Sequence, residues 1–400
     1  MKLRIFINIH YLEVVGDETS LIFLLIAMDP ARADVDLFLN DHRGEMMRFI
    51  PEWVNVLPEC KPYTMIERPI KNVLKAGFWR IAAARMRAKI RFRFYSCRKK
   101  PVDGSAIFSY VGHCVTPLLP SLHSLGEYDL AISYVAPHHI VLDKVLAKRK
   151  ICWIHTDYTC IDVNPVLEAP VWSGYDHIVS ISEAVTRNFC AVFPLLKDKV
   201  TEVENILPAD FIRGRAREQI RPTDMPEIKG ISSLLTIGRY AFAKRLEEIP
   251  SICRRLIEKG MDVRWYIIGY GGSDEYIRKA IADEGMGERV FLLGKRENPY
   301  PYIAACDWYV QPSRYEGKSV TVREAQLLGK PVIVTDYPTA SSQIRDRVDG
   351  VIVPMPWSDC ADAMADVLKN ASLKNRIAEY LATHDWDNRK EVEKIFAFAR

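Results

Sequence analysis

Two carboxylates eight positions apart, Glu316 and Glu324, stand in a stretch that reads Ser-Arg-Tyr-Glu-Gly-Lys-Ser-Val-Thr-Val-Arg-Glu-Ala-Gln-Leu-Leu-Gly-Lys-Pro over 313–331. The first falls in a Gly-containing turn and the second lies two turns into a predicted helix. A strand ending near Gln311 leads in, and the apolar strand Pro331–Thr335 leads out. That layout points the backbone N–H groups of Gly317, Lys318, Ser319 and Val320 at whatever occupies the turn, and helix N-termini favour phosphate. Carboxylates beside such a site suit sugar hydroxyls, which donate hydrogen bonds to charged acceptors. Together these residues predict a nucleotide-sugar pocket.

Other strand ends carry matching chemistry. Arg239 and Lys244 follow the predicted strand Leu234–Ile237, in a loop where cations can stabilise the charge that develops on a departing diphosphate. Gly269-Tyr270-Gly271-Gly272 follows a further strand and allows close backbone approach to a ligand. It is not Gly-x-Gly-x-x-Gly, so a dinucleotide fingerprint is not supported. In the first half, Trp153-Ile154-His155-Thr156-Asp157 sets His155 and Asp157 at another strand end. Asp34-Val35-Asp36 and Asp385-Trp386-Asp387 fit an Asp-x-Asp metal motif formally, but the first opens a strand and the second opens a helix, so each reads as a cap or turn. No His/Cys cluster has ligand spacing, so no metal and no organic cofactor is expected.

The ordered motifs resemble the retaining glycosyltransferases of family 4. They are Gly238-Arg239 with Lys244, Ile268 to Gly271, Gly294 to Tyr300, Cys306-Asp307, the Glu-x7-Glu stretch, and Gly329 to Thr335. The similarity is dense from about 230 to 355 and thinner through 1–205. The resemblance implies the GT-B architecture, α/β with two Rossmann-like domains whose parallel sheets face across a cleft. It implies that Arg239 and Lys244 bind the diphosphate, Glu316 the donor sugar and Glu324 the ribose, with 317–320 under the distal phosphate. It also places Gly269, Tyr270 and Arg296 along the nucleotide and His155 beside donor sugar and acceptor. Gly16 stands in the loop after the first strand, where relatives carry Gly-Gly and this chain has Val15-Gly16. The implied reaction moves a hexose, with retained configuration and without a metal, from a UDP-linked donor to a lipid-linked or oligosaccharide acceptor of surface polysaccharide. Two rivals are a GT-B sugar-nucleotide epimerase and a catalytically silent sugar-nucleotide-binding protein.

These groups need elements to position them. Four hundred residues exceed one ordinary core, so two domains are expected. Short apolar runs alternate with helical patterns, which predicts parallel sheets with crossover helices. The expected strands of the first half are Leu3–Ile7, Val35–Leu39, Asp129–Ser133, Ile151–Ile154, His177–Ile181 and Lys199–Val203. Those of the second are Leu234–Ile237, Val263–Ile268, Arg289–Leu293, Trp308–Val310, Pro331–Val334 and Val351–Val353. A first domain over 1–207, a Pro-rich hinge over 208–229 that reads as a helix and then a linker, and a second domain over 230–384 follow, which the resemblance makes acceptor-binding and donor-binding respectively. A helix over 385–400 is expected to cross back to the first domain.

Composition sets the surroundings. With 48% hydrophobic and 26% charged residues the chain reads as globular. No stretch reaches the roughly 18 continuous apolar residues that span a bilayer. Nine cysteines without a Cys-x-x-Cys pair read as reduced thiols and predict a cytoplasmic protein. From Arg68 to Lys100 there are twelve Lys or Arg and no Asp or Glu. Phe78, Trp79, Ile81, Met86, Ile90, Phe92 and Phe94 are interleaved, a pattern that suits an anionic membrane surface at the cytoplasmic face. No nucleic-acid-binding module accompanies the patch, so nucleic acid is not expected as a partner.

Overall fold

The computed structural model describes residues 2–13, 16–99, 103–221 and 223–400. They form two compact units, Met1–Ile206 with Arg389–Arg400, and Leu207–Asn388. The first unit holds β1 (Leu3–Ile9), β2 (Ala33–Leu39), β3 (Asn55–Val56), β4 (Glu127–Ser133), β5 (Leu146–Ile154), β6 (His177–Ser180) and β7 (Val200–Glu202) in the order β3-β2-β1-β4-β5-β6-β7. All pairings are parallel, with Ile5 registered on Val35 and on Leu130. Helices cover both faces of such a sheet, which is why Ile5, Phe6, Ile7 and Leu130 to Ile132 are buried without alternation.

The second unit repeats the plan with β8 (Ser232–Ile237), β9 (Val263–Ile268), β10 (Val290–Gly294), β11 (Trp308–Gln311), β12 (Val332–Thr335) and β13 (Val351–Val353), ordered β10-β9-β8-β11-β12-β13. All twelve expected strands appear; β3, only two residues long, was not foreseen. Each sheet reverses direction beside its first strand, at β1–β4 and at β8–β11, and open α/β sheets bind ligands at the carboxyl ends of strands flanking such a point.

The expected hinge over 208–229 opens with the helix Ala209–Ala216 and groups with the second unit, where Asn298 Nδ2 donates to Arg215 O at 2.9 Å; Pro222 lies outside the described residues. At the other end, 385–388 is not helical. Asp385 Oδ1 caps the Asp387 N–H at 2.9 Å, and the helix is Val392–Phe398. Its Val392, Ile395, Phe396 and Phe398 are buried in the first unit's core, while the Arg32 guanidinium lies 4.0 Å over the Phe396 ring and pairs with Glu393 at 2.9 Å.

The basic block becomes the helices Ile70–Lys75 and Trp79–Arg98; Lys100 lies outside the described residues. Ile81, Ala82 and Ala88 face the core, and Arg85 also turns inward, donating to Met65 O at 2.9 Å. Phe78 packs against the core and Phe92 sits 6.0 Å from the Tyr110 ring, so neither belongs to the outer face. Trp79 (68% exposed), Met86 (47%), Ile90 (51%) and Phe94 (71%), spaced seven, four and four residues apart, fall on one side of the helix as an apolar stripe, flanked by exposed Arg80, Arg87, Lys89 and Arg93. Among the described residues no helix is long and apolar enough to cross a membrane.

Candidate active site

The loops after β8 and β11 leave the second sheet side by side and gather its charged groups. Glu316 Oε1 accepts from three donors: Lys244 Nζ at 2.6 Å, Ser313 Oγ at 2.6 Å and Gln311 Nε2 at 3.0 Å. Gln311 is in turn oriented by Tyr309, whose hydroxyl donates to Gln311 Oε1 at 2.7 Å. Arg314 sews the two loops together, donating from its backbone to Ala243 O and from its side chain to Phe242 O, both at 2.7 Å, and pairing with Glu247 and Glu248. Thr339 Oγ1 holds Glu316 O at 2.8 Å. Charge-assisted bonds of this kind fix a carboxylate within a narrow range of orientations. Arg239, by contrast, is exposed and makes no side-chain hydrogen bond or ion pair with the described residues, so its guanidinium is open to an anion.

The turn that follows is buried at Gly317, Ser319 and Val320, and Lys318 is half-buried. Of the four backbone N–H groups expected to face a ligand, that of Ser319 is spent on Gln343 Oε1 at 3.0 Å, and Gln343 Nε2 returns a bond to Ser319 O at 2.7 Å. The helix Val320–Leu327 starts there without a side-chain cap, leaving first-turn N–H groups that have no intrahelical acceptor. Glu324, 2% exposed, accepts from Tyr300 Oη at 3.0 Å, and burial pushes its pKa up to about 7.

The glycines after β9 come close to a neighbouring backbone. Gly269 has φ +155°, and a Cβ there would lie 1.9 Å from Gly238 O; at Gly271 (φ +150°) it would lie 2.7 Å from Tyr240 O. Their close approach is to the loop after β8, confirmed by the 2.8 Å bond from Tyr240 N to Tyr270 O. Tyr270 offers its ring to Lys295, 4.4 Å away. Arg296, expected along the nucleotide, instead donates to Asp224 at 2.9 and 3.2 Å and to Tyr302 Oη at 3.0 Å. Burial works against the Asp224 charge, yet the bonds from Tyr302 and Arg296 hold its pKa below the usual carboxylate range.

In the first unit, His155 follows β5 with its side chain 8% exposed. Its Nε2 stands 2.9 Å from Tyr134 O. A carbonyl only accepts, so Nε2 carries the proton and Nδ1 the lone pair; burial lowers the pKa and keeps the ring neutral. Asp157 is not a free ligand contact: Thr159 occupies Oδ1 and Asn188 occupies Oδ2. Gly16 opens the helix Gly16–Ala27, while Val15 lies outside the described residues. Asp34 pairs with Lys2 at 3.1 Å, and Asp36 accepts from Tyr128 Oη at 2.7 Å, inside β2 rather than at a cap. Sequence reading gave Gln311, Tyr300 and Gln343 no role; the one available signal was a polar Gln closing the otherwise apolar β11.

Residues 226–384 match the family model described as "Glycosyl transferases group 1". An uncharacterized glycosyltransferase of Methanocaldococcus jannaschii is 28% identical over 38% of this chain and 37% of its own length. A Campylobacter jejuni N-acetylgalactosamine-N,N'-diacetylbacillosaminyl-diphospho-undecaprenol 4-alpha-N-acetylgalactosaminyltransferase is 24% identical over 46% of this chain and 47% of its own. The chain thus spans less than half the length of these relatives. Over nearly the whole chain, Anabaena HepE in complex with UDP and glucose superposes with TM-score 0.68 at 13% identity, covering 99% of this chain and 98% of HepE. The chain therefore has the GT-B fold, two Rossmann-like domains with parallel sheets, and its match to glycosyl transferases group 1 runs over residues 226–384.

Proposed function

We propose that this protein is a retaining glycosyltransferase of family 4. In this reading it moves a hexose from a UDP-linked donor to a hydroxyl of a lipid-linked or oligosaccharide acceptor in surface polysaccharide biosynthesis. The observation that carries the reading is the three-donor clamp on Glu316, with Lys244 among the donors, at the switch point of the second sheet and inside the matched segment. A carboxylate fixed so tightly suits sugar hydroxyls, and the exposed Arg239 of the loop that carries Lys244 suits a diphosphate. Support for UDP comes from HepE, and for a lipid-linked acceptor from the name of the Campylobacter relative.

In this reading the second unit takes the donor and the first the acceptor. Arg239 and Lys244 neutralise the leaving diphosphate, together with first-turn N–H groups of the helix Val320–Leu327. Glu324 takes ribose hydroxyls, and the loops at Gly269–Tyr270 and Gly317–Val320 line the donor. Within the first unit, Gly16 and His155 are the residues assigned to ligand contact. Arg296 acts at one remove, by fixing the 224 segment. The bond from anomeric carbon to diphosphate breaks as the acceptor oxygen attacks the same face, and the leaving phosphate takes the acceptor proton. No divalent metal enters this scheme: turnover is expected to survive chelation and desalting, and a loss restored by magnesium would overturn that element.

The helix Trp79–Arg98 docks the protein on anionic lipid at the cytoplasmic face, supported by its apolar stripe and flanking cations. A thermal-shift panel of UDP, GDP, ADP and their sugar conjugates tests the central reading, because a ligand that binds only the native state raises its melting temperature. UDP and one UDP-sugar are expected to stabilise the protein above the rest. No shift with any nucleotide would overturn the assignment.

A further inference from the structure

The loop after β8 changes direction at Arg245, where the short helical turns Phe242–Lys244 and Leu246–Glu248 meet. Arg245 has φ +55° and ψ +33°, the left-handed region that suits glycine. Its side chain is 2% exposed within the second unit, with Nη1 donating to Met355 O and Nε 3.2 Å from Glu248 Oε2. Nε and Nη2 are buried without a hydrogen-bond partner. Cys360, in the helix Trp357–Lys369, lies beside the guanidinium: burial pushes its thiol up to about 11, and the Arg245 charge works against that shift. Glu248 is shared with Arg314 at 3.1 Å, the residue that ties this loop to the one carrying Glu316.

For stability alone, Arg245 is a poor choice at this position. Glycine meets a left-handed turn without strain, and an apolar side chain leaves no buried donors unpaired. What the residue does fix is the direction of its neighbour. The two side chains leave the turn toward different partners, Lys244 Nζ to Glu316 Oε1 at 2.6 Å and Arg245 to Met355 O. The Lys244 stem lies along Gly238, where a Cβ would stand 3.3 Å from its Cγ and Cδ. A lysine has a long flexible stem, so its ammonium keeps one place only if the backbone beneath it is held. We propose that Arg245 is a positioning residue that anchors the left-handed turn and thereby aims Lys244 at a diphosphate. The inference rests on the reading of Lys244 as a diphosphate ligand.

Calorimetry on the full chain with UDP and UMP as probes tests it. The ratio of their affinities reads the contact to the second phosphate and does not depend on the folded fraction. The wild type is expected to favour UDP. Arg245→Gly, which keeps the turn without the anchor, and Arg245→Met, which keeps an apolar stem, are each expected to lower that ratio about tenfold. Lys244→Ala is expected to lower it at least as far. Arg245→Met added to Lys244→Ala is expected to lower it no further, because a residue that acts through Lys244 then has nothing to act on. A lowered melting temperature with the UDP preference intact in both Arg245 variants makes the residue structural and overturns the proposal. So does a loss from Arg245→Met that is as large without Lys244 as with it. A wild type that binds neither nucleotide, or binds UDP no better than UMP, overturns instead the reading beneath it.

Discussion

Glu316 is where charge, geometry and sequence motif coincide. Lys244→Ala and Glu316→Ala are each expected to lower transfer by about 10²–10³, the usual cost of removing one preorganised charged contact, with circular dichroism unchanged. Near-normal turnover in both would remove this pocket from the chemistry. Glu324 makes a separate prediction in pH. Burial raises its pKa from 4.5 to about 7, so the folded chain binds more protons than the unfolded chain between those values. Its contribution is fully present below about 4.5 and is lost as pH rises through about 7. Glu324→Gln removes that loss, so its melting temperature is expected to gain on the wild type between pH 5 and pH 8; a gap that shrinks over this range would contradict the burial account. Glu316 and Lys244, which the structure brings together, were legible because each sits in a loop between strand and helix. Gln311 and Gln343 were not, since their partners are set by the fold. Arg296 shows the converse: on paper a loop cation gives no sign of its bond to an aspartate 72 residues upstream.

Elements follow their physics with different clarity. Central parallel strands are buried on both faces and announce themselves as apolar runs, which is why their positions could be read directly. Two residues, as in β3, are too few to leave a period. The helix Trp79–Arg98 was visible as a charge block, but charge alone did not say which aromatic residues face out. Packing assigns Phe78 and Phe92 inward and leaves Trp79, Met86, Ile90 and Phe94 to the surface. Liposome co-sedimentation separates the two contributions of that surface. Changing Arg80, Arg87, Lys89 and Arg93 to Gln is expected to weaken binding to anionic vesicles by two to three orders of magnitude at low salt, at roughly 1 kcal/mol per basic residue. Changing Trp79, Met86, Ile90 and Phe94 to Ser is expected to abolish the part of binding that persists at high salt. If the wild type stays in the supernatant at low salt, the stripe serves something other than lipid.

At the scale of the molecule, the chain leaves the first unit at Ile206 and returns to it at Arg389. The returning segment binds by burial more than by charge. Phe396 is 2% exposed within the core, and Phe396→Ala is expected to cost about 3–5 kcal/mol, measured as a lowered denaturation midpoint. The Arg32–Glu393 pair sits in solvent, so Arg32→Gln is expected to leave that midpoint nearly unmoved apart from its stacking on Phe396. Equal effects of the two changes would mean that charge, not burial, fixes the segment. This connectivity also has a consequence for birth on the ribosome. The first unit is the first to emerge, yet four of its buried side chains arrive only with 392–398, on the order of ten to forty seconds of synthesis after Ile206. The second unit has all its residues in hand sooner and can close before the first. Until the last helix emerges, the nascent chain shows an open apolar seat beside Arg32, a standing invitation to chaperones.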